Sequence, residues 1–480
     1  MTTRRRPWST LGWSSERGRS AGFAFIVLFL FVVFIDARRL GHIHTTDSDN
    51  LVKGTRQAID CLRDGQFFRC GGGLGKVEVF PYPLLQYLPA AVLIQLGLSD
   101  SSLLEWFGVI SFLAFAGSLL LVVRTFRERP RHGALIVVSL LASSFLYHST
   151  SAFGEGLTAA LVIAAVVAAV RRRPVLLFVL VLMSSLGKET LAPFVVVLAL
   201  VCARAENDAW LPARKFTIAA LGGGITGILL NFAFNLFRYG SIKNLLYLEE
   251  VFRTPGIWQK IVFFGAIVGS PAAGVFWFWP LVSLMFLAGG AIGLSRLIRD
   301  RHSPRAYLPV LAVTATLIGW FALLSAWCSP FGWIAYGPRL EVPLLGGFAV
   351  SVAHLEGDKM VAALRRSRLA VLATGGALAL GALQFGSPWR YALATEELIV
   401  PTGSCPAVSQ IEIRTDAALY YRCVTEVMWR RHPMVLDDLF DLSASVRGAA
   451  WLLAVAGSVL LLWYVAARSE NLDGSDRGEC

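Results

Sequence analysis

The sequence predicts an all-α fold: a polytopic membrane helix bundle with long outer loops and interfacial helices. Hydrophobic residues make up 55% of the 480 residues and charged residues only 16%, with a mean hydropathy of +0.60. A soluble domain carries about 25% charged residues. Apolar runs as long as a bilayer is thick recur from residue 21 to residue 468, which predicts about twelve helical spans.

The apolar runs divide the chain into one membrane domain with short tails. The first run follows Arg4, Arg5 and Arg6, and no small-residue cleavage site comes after it. We therefore interpret it as a retained first span and not as a signal peptide. The predicted segments are a cytoplasmic N-terminal tail 1–20, a transmembrane domain 21–385 with a first outer loop 36–102, an outer loop or small cap 386–447, a last transmembrane helix 448–468 and a cytoplasmic tail 469–480.

The positions of the arginines predict how the chain is oriented in the membrane. The arginine-rich connections at 124–131 and 171–173 are short, which is typical of cytoplasmic loops. If the apolar segment 83–98 spanned the membrane, both connections would lie outside. We therefore expect this segment to lie at the outer interface. Both termini of this multi-pass protein of the inner or plasma membrane are then cytoplasmic. The long loops lie on the extracytoplasmic side, where we therefore expect the functional site.

The net charge of +12 does not indicate a nucleic-acid partner. The basic residues are spread over the connections between apolar runs, and they form no basic face with a known reader motif. Cytoplasmic retention of loops explains such an excess of Lys and Arg in a multi-pass protein. The partner that composition predicts is membrane lipid, and nucleic-acid binding is excluded.

Two carboxylates follow the first apolar run, Asp47 and Asp49, with His42 and His44 close by. A carboxylate at the outer surface can act as a general base that takes a proton from an attacking hydroxyl. The alternative is a solvated loop acid, or a helix cap for the segment that starts near Leu51. The pattern HxHxxDxD is weak for any metal, so we expect no cofactor; a divalent cation is the less favoured alternative.

Glu155 is a further candidate catalytic carboxylate. It stands at the outer end of a span that is otherwise made of Leu, Ala and Val. An ionised acid at such a place costs free energy unless it is paired with a cation or hydrated, so its presence there indicates pairing, hydration or a functional role. The alternative is an acid that only stabilises the helix N-terminus through the helix dipole.

Three basic residues at the ends of spans are candidates for holding a phosphate: Lys188, Arg238 and Arg339. Lysine holds a phosphate as a compact point charge, and the arginine fork matches two of its oxygens. The alternative for Lys188 is neutralisation by its neighbour Glu189. The alternative for either arginine is to reach the lipid head groups, as interfacial arginines commonly do.

Five cysteines fall in predicted outer loops, where disulfides can persist, and Cys328 is the one without a candidate partner. Cys61 with Cys70, and Cys405 with Cys423, are the candidate pairs. The alternative is four unrelated free thiols.

The order of these motifs resembles the GT-C superfamily of integral-membrane glycosyltransferases, in its bacterial branch related to protein mannosyltransferases and the lipid A aminoarabinose transferase. That pattern has an acidic motif in the first outer loop, a Tyr-Pro-rich segment, an acid in the second outer loop and a Gly-Lys break between short spans. The matching stretches here are Thr46-Asp47-Ser48-Asp49, Pro81-Tyr82-Pro83-Leu84-Leu85-Gln86-Tyr87, Glu155, Gly187-Lys188 and Tyr336-Gly337-Pro338-Arg339. The large soluble C-terminal domain of some members is absent from this sequence.

The resemblance implies a sugar donor linked to polyprenyl phosphate and an extracytoplasmic glycan, lipid or protein acceptor. An acceptor hydroxyl would attack the anomeric carbon with inversion, and Asp47 or Asp49 would be the base. We prefer Asp47 slightly, because it comes first after the span. Lys188, Arg238 or Arg339 would hold the donor phosphate. The residues expected to line the substrate site are His44, Tyr82, His148, Glu189 and Tyr336.

Other functions compatible with the sequence are a flippase or transporter for lipid-linked sugars, a non-catalytic scaffold, and an O-antigen-type ligase or polymerase. A transporter is expected to show internal repeats and broken helices at the midplane, and the sequence shows no repeat. A ligase usually depends on arginine and histidine in a large late outer loop. The late loop here contains Arg390, Arg414, Arg422, Arg430, Arg431 and His432.

Overall fold

The computed structural model describes residues 46–68, 70, 82–150, 154–204, 213–243, 256–299, 301–327, 339–383, 405 and 416–429, with residues 46–50 and 150 as backbone only. All of them belong to one of the two compact units of the chain, His42–Leu452. Every multi-residue element in these ranges is an α-helix. The predicted all-α fold is therefore confirmed for the described part of the chain.

Eight described helices make up the first half of the chain. They are α1 (Thr46–Arg63), α2 (Leu84–Gln95), α3 (Asp100–Thr125), α4 (Pro130–Leu141), α5 (Phe145–Thr150), α6 (Gly154–Val170), α7 (Pro174–Gly187) and α8 (Ala192–Cys202). The helices of the second half are α9 (Arg214–Tyr239), α10 (Ile257–Gly269), α11 (Val275–Phe278), α12 (Pro280–Arg299), α13 (Pro304–Ser325), α14 (Val342–Arg366), α15 (Arg368–Leu383) and α16 (Ala417–Met428).

Four of the described helices, α3, α9, α12 and α13, are long and apolar enough to cross a membrane. Seven further apolar helices are shorter. The chain is therefore a multi-pass membrane protein. The total of about twelve spans stays a prediction, since the first and last predicted spans lie outside the described residues.

The segment predicted to lie at the outer interface forms α2, which is only 12 residues long. A helix of that length extends about 18 Å, which is short of the hydrocarbon thickness of about 30 Å. Leu85, Tyr87 and Leu93 of α2 are buried. These contacts anchor α2 to its helical neighbours α1, α3 and α7.

Helix α6 lies at the centre of the bundle, and all of its residues except Leu161 and Val170 are buried. It packs against α3, α7, α8 and α14. Small residues allow this close packing, as in other membrane bundles, where van der Waals contact drives helix association. A Cβ on Gly346 of α14 would lie 2.6 Å from the Cδ1 atom of Ile163, so the two helices meet where the sequence supplies glycine.

Disulfides fasten two of the predicted outer segments. Cys61 and Cys70 are bonded, with a Cα–Cα distance of 5.7 Å, and the Cys70 N–H donates to the Phe237 carbonyl at 2.8 Å. The first outer loop is thereby tied to the end of α9. Cys405 and Cys423 are also bonded. They are the same pairs that the sequence analysis considered.

The second disulfide belongs to the predicted loop or cap 386–447, of which Cys405 and α16 are described. Helix α16 packs on α10. The Gln259 side chain donates to the Thr425 hydroxyl at 2.8 Å, and the Ser270 hydroxyl donates to the Met428 carbonyl at 2.6 Å. This part of the cap is therefore fixed to the membrane domain through α10.

Candidate active site

The first-loop acids lie in the first turn of α1, which begins at Thr46. In a helix, positions four residues apart share a face. Position 47 therefore shares a face with the buried Leu51, whereas position 49 shares a face with the exposed Lys53. The helical register separates two acids that the sequence alone left nearly equivalent.

Glu155 lies in the first turn of α6, where glycine on its C-terminal side permits close packing. A Cβ on Gly156 would lie 2.2 Å from the backbone carbonyl oxygen of His148, so only glycine fits there. Glu155 is buried, and its Oε1 atom accepts a hydrogen bond from the Nε–H of Arg339 at 2.9 Å. Its Oε2 atom is buried without a hydrogen-bond partner among the described residues.

Lys188 lies in the turn between α7 and α8, close to Glu155. A Cβ on Gly187 would lie 2.3 Å from the Thr158 hydroxyl, so glycine lets the end of α7 touch α6 one turn beyond Glu155. The Lys188 ammonium donates to the Leu340 carbonyl at 3.3 Å and lies 5.2 Å from the centre of the Trp320 ring. Burial lowers the pKa of Lys188 to about 8, although the charges of Glu155 and Glu341 oppose this shift.

Glu341 is fully buried immediately before α14. Neither of its carboxyl oxygens accepts a hydrogen bond from another residue in the described part of the chain. Burial raises its pKa to about 8, against the opposing effect of the nearby Lys188 charge. A buried carboxyl of this kind is costly to keep, and native structures rarely contain one without a purpose.

These four side chains form one group, which we name the four-charge cluster: Glu155, Lys188, Arg339 and Glu341. They come from α6, from the α7–α8 turn and from the segment before α14. Glu155 and Arg339 form an ion pair, and Lys188 interacts electrostatically with the other three. With all four ionised, two positive and two negative charges cancel. A buried group of this composition, with acceptor oxygens left unused, is suited to binding a polar ligand.

Arg238 lies on the other side of the same turn and is 1% exposed. Its guanidinium donates to Glu189 Oε1 at 2.5 Å, to the Tyr82 carbonyl at 2.8 Å and to the side-chain oxygen of Asn235. Lys188 donates to the Leu340 carbonyl, whereas Glu189 accepts from Arg238. These hydrogen bonds use at least four of the five N–H groups of the guanidinium, so Arg238 is better suited to position its neighbours than to hold a phosphate.

The structure brings most of the predicted site residues into one region, namely Glu155, Lys188, Glu189, Arg238, Arg339 and, through its carbonyl, Tyr82. His148 is fully buried one helix earlier, with its ring 5.1 Å from that of Tyr147. His44 and Tyr336 lie outside the described residues. Of the arginine and histidine residues considered for a ligase, only Arg422 is described, and it is exposed on α16.

Sequence reasoning did not single out Glu341, Asn235 or Trp320. Glu341 carried a usable signal, because it is an acid at the start of an apolar run and two residues after Arg339. Asn235 stands three residues before Arg238, a spacing at which helical side chains meet. Trp320 lies within an apolar run, and nothing in the sequence distinguishes it from a core residue.

No protein-family model matches the sequence, and no curated protein matches it. Among solved structures, the crystal structure of ArnT from Cupriavidus metallidurans in the apo state is similar to this chain. The TM-score is 0.46 and the sequence identity is 14%, over 91% of this chain and 78% of that chain.

Proposed function

We propose that the protein is a membrane glycosyltransferase that moves a sugar from a polyprenyl-phosphate donor to an extracytoplasmic glycan, lipid or protein acceptor. The observation that carries the proposal is the four-charge cluster. It places a buried lysine and a buried arginine beside carboxyl oxygens that lack partners among the described residues. A membrane bundle that carries such a group at the ends of its helices is suited to binding a donor that resides in the bilayer.

Lys188 and Arg339 are the groups that hold the donor phosphate in this proposal. Lys188 can offer its remaining N–H groups, since its ammonium carries three donors and one of them is used by the Leu340 carbonyl. Arg339 has been positioned by Glu155, which takes its Nε–H. Arg238 positions the neighbouring part of the site, because it donates hydrogen bonds to Glu189 and to the backbone carbonyl of Tyr82.

Asp47 is the proposed general base. Its position shares a helical face with the buried Leu51, and the disulfide-bonded loop that follows α1 is fastened to the end of α9. The preference for Asp47 over Asp49 therefore has a reason in the helical register as well as in chain order.

The reaction is an inverting displacement at the anomeric carbon. The acceptor oxygen forms the new bond to that carbon while the bond from the carbon to the phosphate oxygen breaks. The polyprenyl phosphate leaves with the electron pair, and the acceptor proton passes to Asp47. Lys188 and Arg339 stabilise the charge that develops on the leaving phosphate, and holding both substrates in line supplies much of the rate enhancement.

Transfer of labelled sugar from a mixed pool of polyprenyl-phosphate sugars, in membranes that contain the full chain, tests the proposal. Asp47→Asn is expected to lose about 100-fold or more of the activity, as is typical for removal of a general base. Glu155→Gln is also expected to be impaired, since it releases Arg339. Asp49→Asn and the matched control Asp60→Asn, an exposed acid on α1, should retain wild-type activity.

The assay separates the assignment of the general base from the transferase proposal itself. Loss of activity with Asp49→Asn alone would move the base to Asp49 and leave the transferase proposal standing. Equal transfer by all variants would contradict the site assignment. If wild-type membranes transferred no sugar from any donor in the pool, the transferase proposal would fall.

A further inference from the structure

We propose that Glu341 controls the net charge of the phosphate site: as a neutral acid it leaves one positive charge for the donor phosphate, and as a carboxylate it cancels that charge. The inference rests on the proposed function and deepens it, because it names a residue that regulates anion binding at the same site. Nothing in the transfer reaction itself requires this residue.

The position of Glu341 carries the inference. Its side chain is fully buried, and neither oxygen accepts a hydrogen bond from another described residue, although its own backbone N–H favours the ionised form. An ionised carboxylate is costly in such surroundings unless hydrogen bonds or an adjacent cation compensate it. Among the described residues, Lys188 is the cation whose charge acts on it. The charge of Glu341 and the availability of Lys188 for a ligand are therefore linked.

The charged groups around Glu341 come from each neighbouring part of the site. Lys188 belongs to the α7–α8 turn, Glu155 to α6, and Arg339 to the same short segment as Glu341. Tyr147 of α5 interacts electrostatically with Arg339. Because Glu155 is already paired with Arg339, the balance between Lys188 and Glu341 sets the net charge that an incoming anion meets.

The pKa values agree with this arrangement. Burial raises the pKa of Glu341 and lowers the pKa of Lys188, so the two groups titrate as a pair in the same pH range, near pH 8. As the pH rises through that range, Glu341 loses its proton and Lys188 loses its charge. Both changes weaken anion binding in the same direction, so an experiment must separate them.

Replacing Lys188 by arginine separates the two titrations, since arginine stays charged throughout the accessible pH range. The probe is undecaprenyl phosphate, and the full chain is studied in nanodiscs from pH 7.5 to 9.5, where the phosphate itself has finished titrating. For Lys188→Arg we expect affinity to fall by up to about tenfold per pH unit above pH 8, the limit for one linked proton. The double variant Lys188→Arg/Glu341→Gln should lose this slope, and Lys188→Arg/Asp60→Asn should keep it.

Infrared spectroscopy gives a second readout that does not depend on binding. A neutral carboxylic acid has a C=O stretch that a carboxylate lacks. Wild type at pH 7 should show such a band, which should be absent from Glu341→Gln. Absence of this difference at pH 7 would overturn the inference even if Lys188→Arg bound no probe.

The binding outcomes also distinguish the two proposals. Binding of undecaprenyl phosphate with the same pH slope in the single and the double variant would overturn the role of Glu341 and leave the transferase proposal intact. Failure of wild type to bind the probe at any pH would overturn both.

Discussion

Two buried glutamates, one just before helix α14 and one within it, differ in how their carboxyl groups are paired. Glu341 precedes the helix, and Glu356 lies about 22 Å further along its axis. The guanidinium of Arg296 pairs with both carboxyl oxygens of Glu356, with Nη1–Oε1 at 2.5 Å and Nη2–Oε2 at 2.6 Å. The Nζ atom of Lys359 lies 3.7 Å from Oε2 of Glu356. Glu341 has no such partner among the described residues.

The contrast teaches which buried charges maintain the fold and which are available for ligands. A two-pronged arginine–carboxylate pair leaves no acceptor unused, so the Arg296–Glu356 pair is complete as it stands. Arg296 also donates to the Ala306 carbonyl at 2.6 Å, so that it ties α12, α13 and α14 together. The four-charge cluster instead keeps unused acceptors at a cost in stability, which is the pattern expected of a binding site.

Replacement of Lys188 by methionine should give the largest effect on function. The loss of one charged donor to the leaving phosphate is expected to reduce transfer by about 100- to 1000-fold. Thermal stability should stay the same or increase, since a buried charge is exchanged for an apolar side chain of similar length. Sugar-transfer rates, measured beside the melting temperature in the same detergent, test both halves. Activity within threefold of wild type would show that the cluster does not hold the phosphate.

Replacement of Glu356 by glutamine should give the opposite result. It leaves the partly exposed Arg296 without its counter-charge, and we expect a loss of about 3 kcal/mol in stability. Transfer activity per folded molecule should be unchanged, because this pair lies far from the cluster along α14. The double variant Arg296→Met/Glu356→Leu should recover most of the stability, since apolar replacement of a buried pair is often neutral. A large loss of activity in the folded Glu356→Gln protein would contradict the distinction between the two ends.

The sequence predicted the members of the cluster better than their pairing. Glu155, Lys188 and Arg339 stand out because a charge within or beside an apolar run is expensive and therefore informative. Which charges meet depends on contacts between α6, the α7–α8 turn and the start of α14, which are distant in the chain. The sequence could not show that Arg238 would be engaged by Glu189, nor that Lys188 would turn toward Glu341.

The start of α1 was also beyond sequence reasoning. The stretch Thr46-Asp47-Ser48-Asp49-Asn50 consists of residues that favour turns and helix caps over helix interiors, and a polar loop was expected. The structure continues α1 back to Thr46. The buried side chains of Leu51, Val52 and Thr55 fix one face of this helix in the core, and such tertiary packing commonly outweighs local propensity.

The smallest expected effect comes from the contact of Asp358, on α14, with His132, which shows that a short distance alone does not identify a structural tie. The Nε2–Oδ1 distance is 2.9 Å, yet the Asp358 side chain is 87% exposed. His132 is buried, but asparagine keeps a side-chain oxygen that can accept a hydrogen bond from the imidazole, and water solvates the exposed end of the contact. We therefore expect a contribution in the range of exposed contacts, about 0–1 kcal/mol. We expect Asp358→Asn to change stability by less than about 0.5 kcal/mol and to leave sugar transfer unchanged. Parallel chemical denaturation of Asp358→Asn and Glu356→Gln checks this comparison. A loss for Asp358→Asn as large as that for Glu356→Gln would show that burial does not decide which of these pairs holds α14 in place.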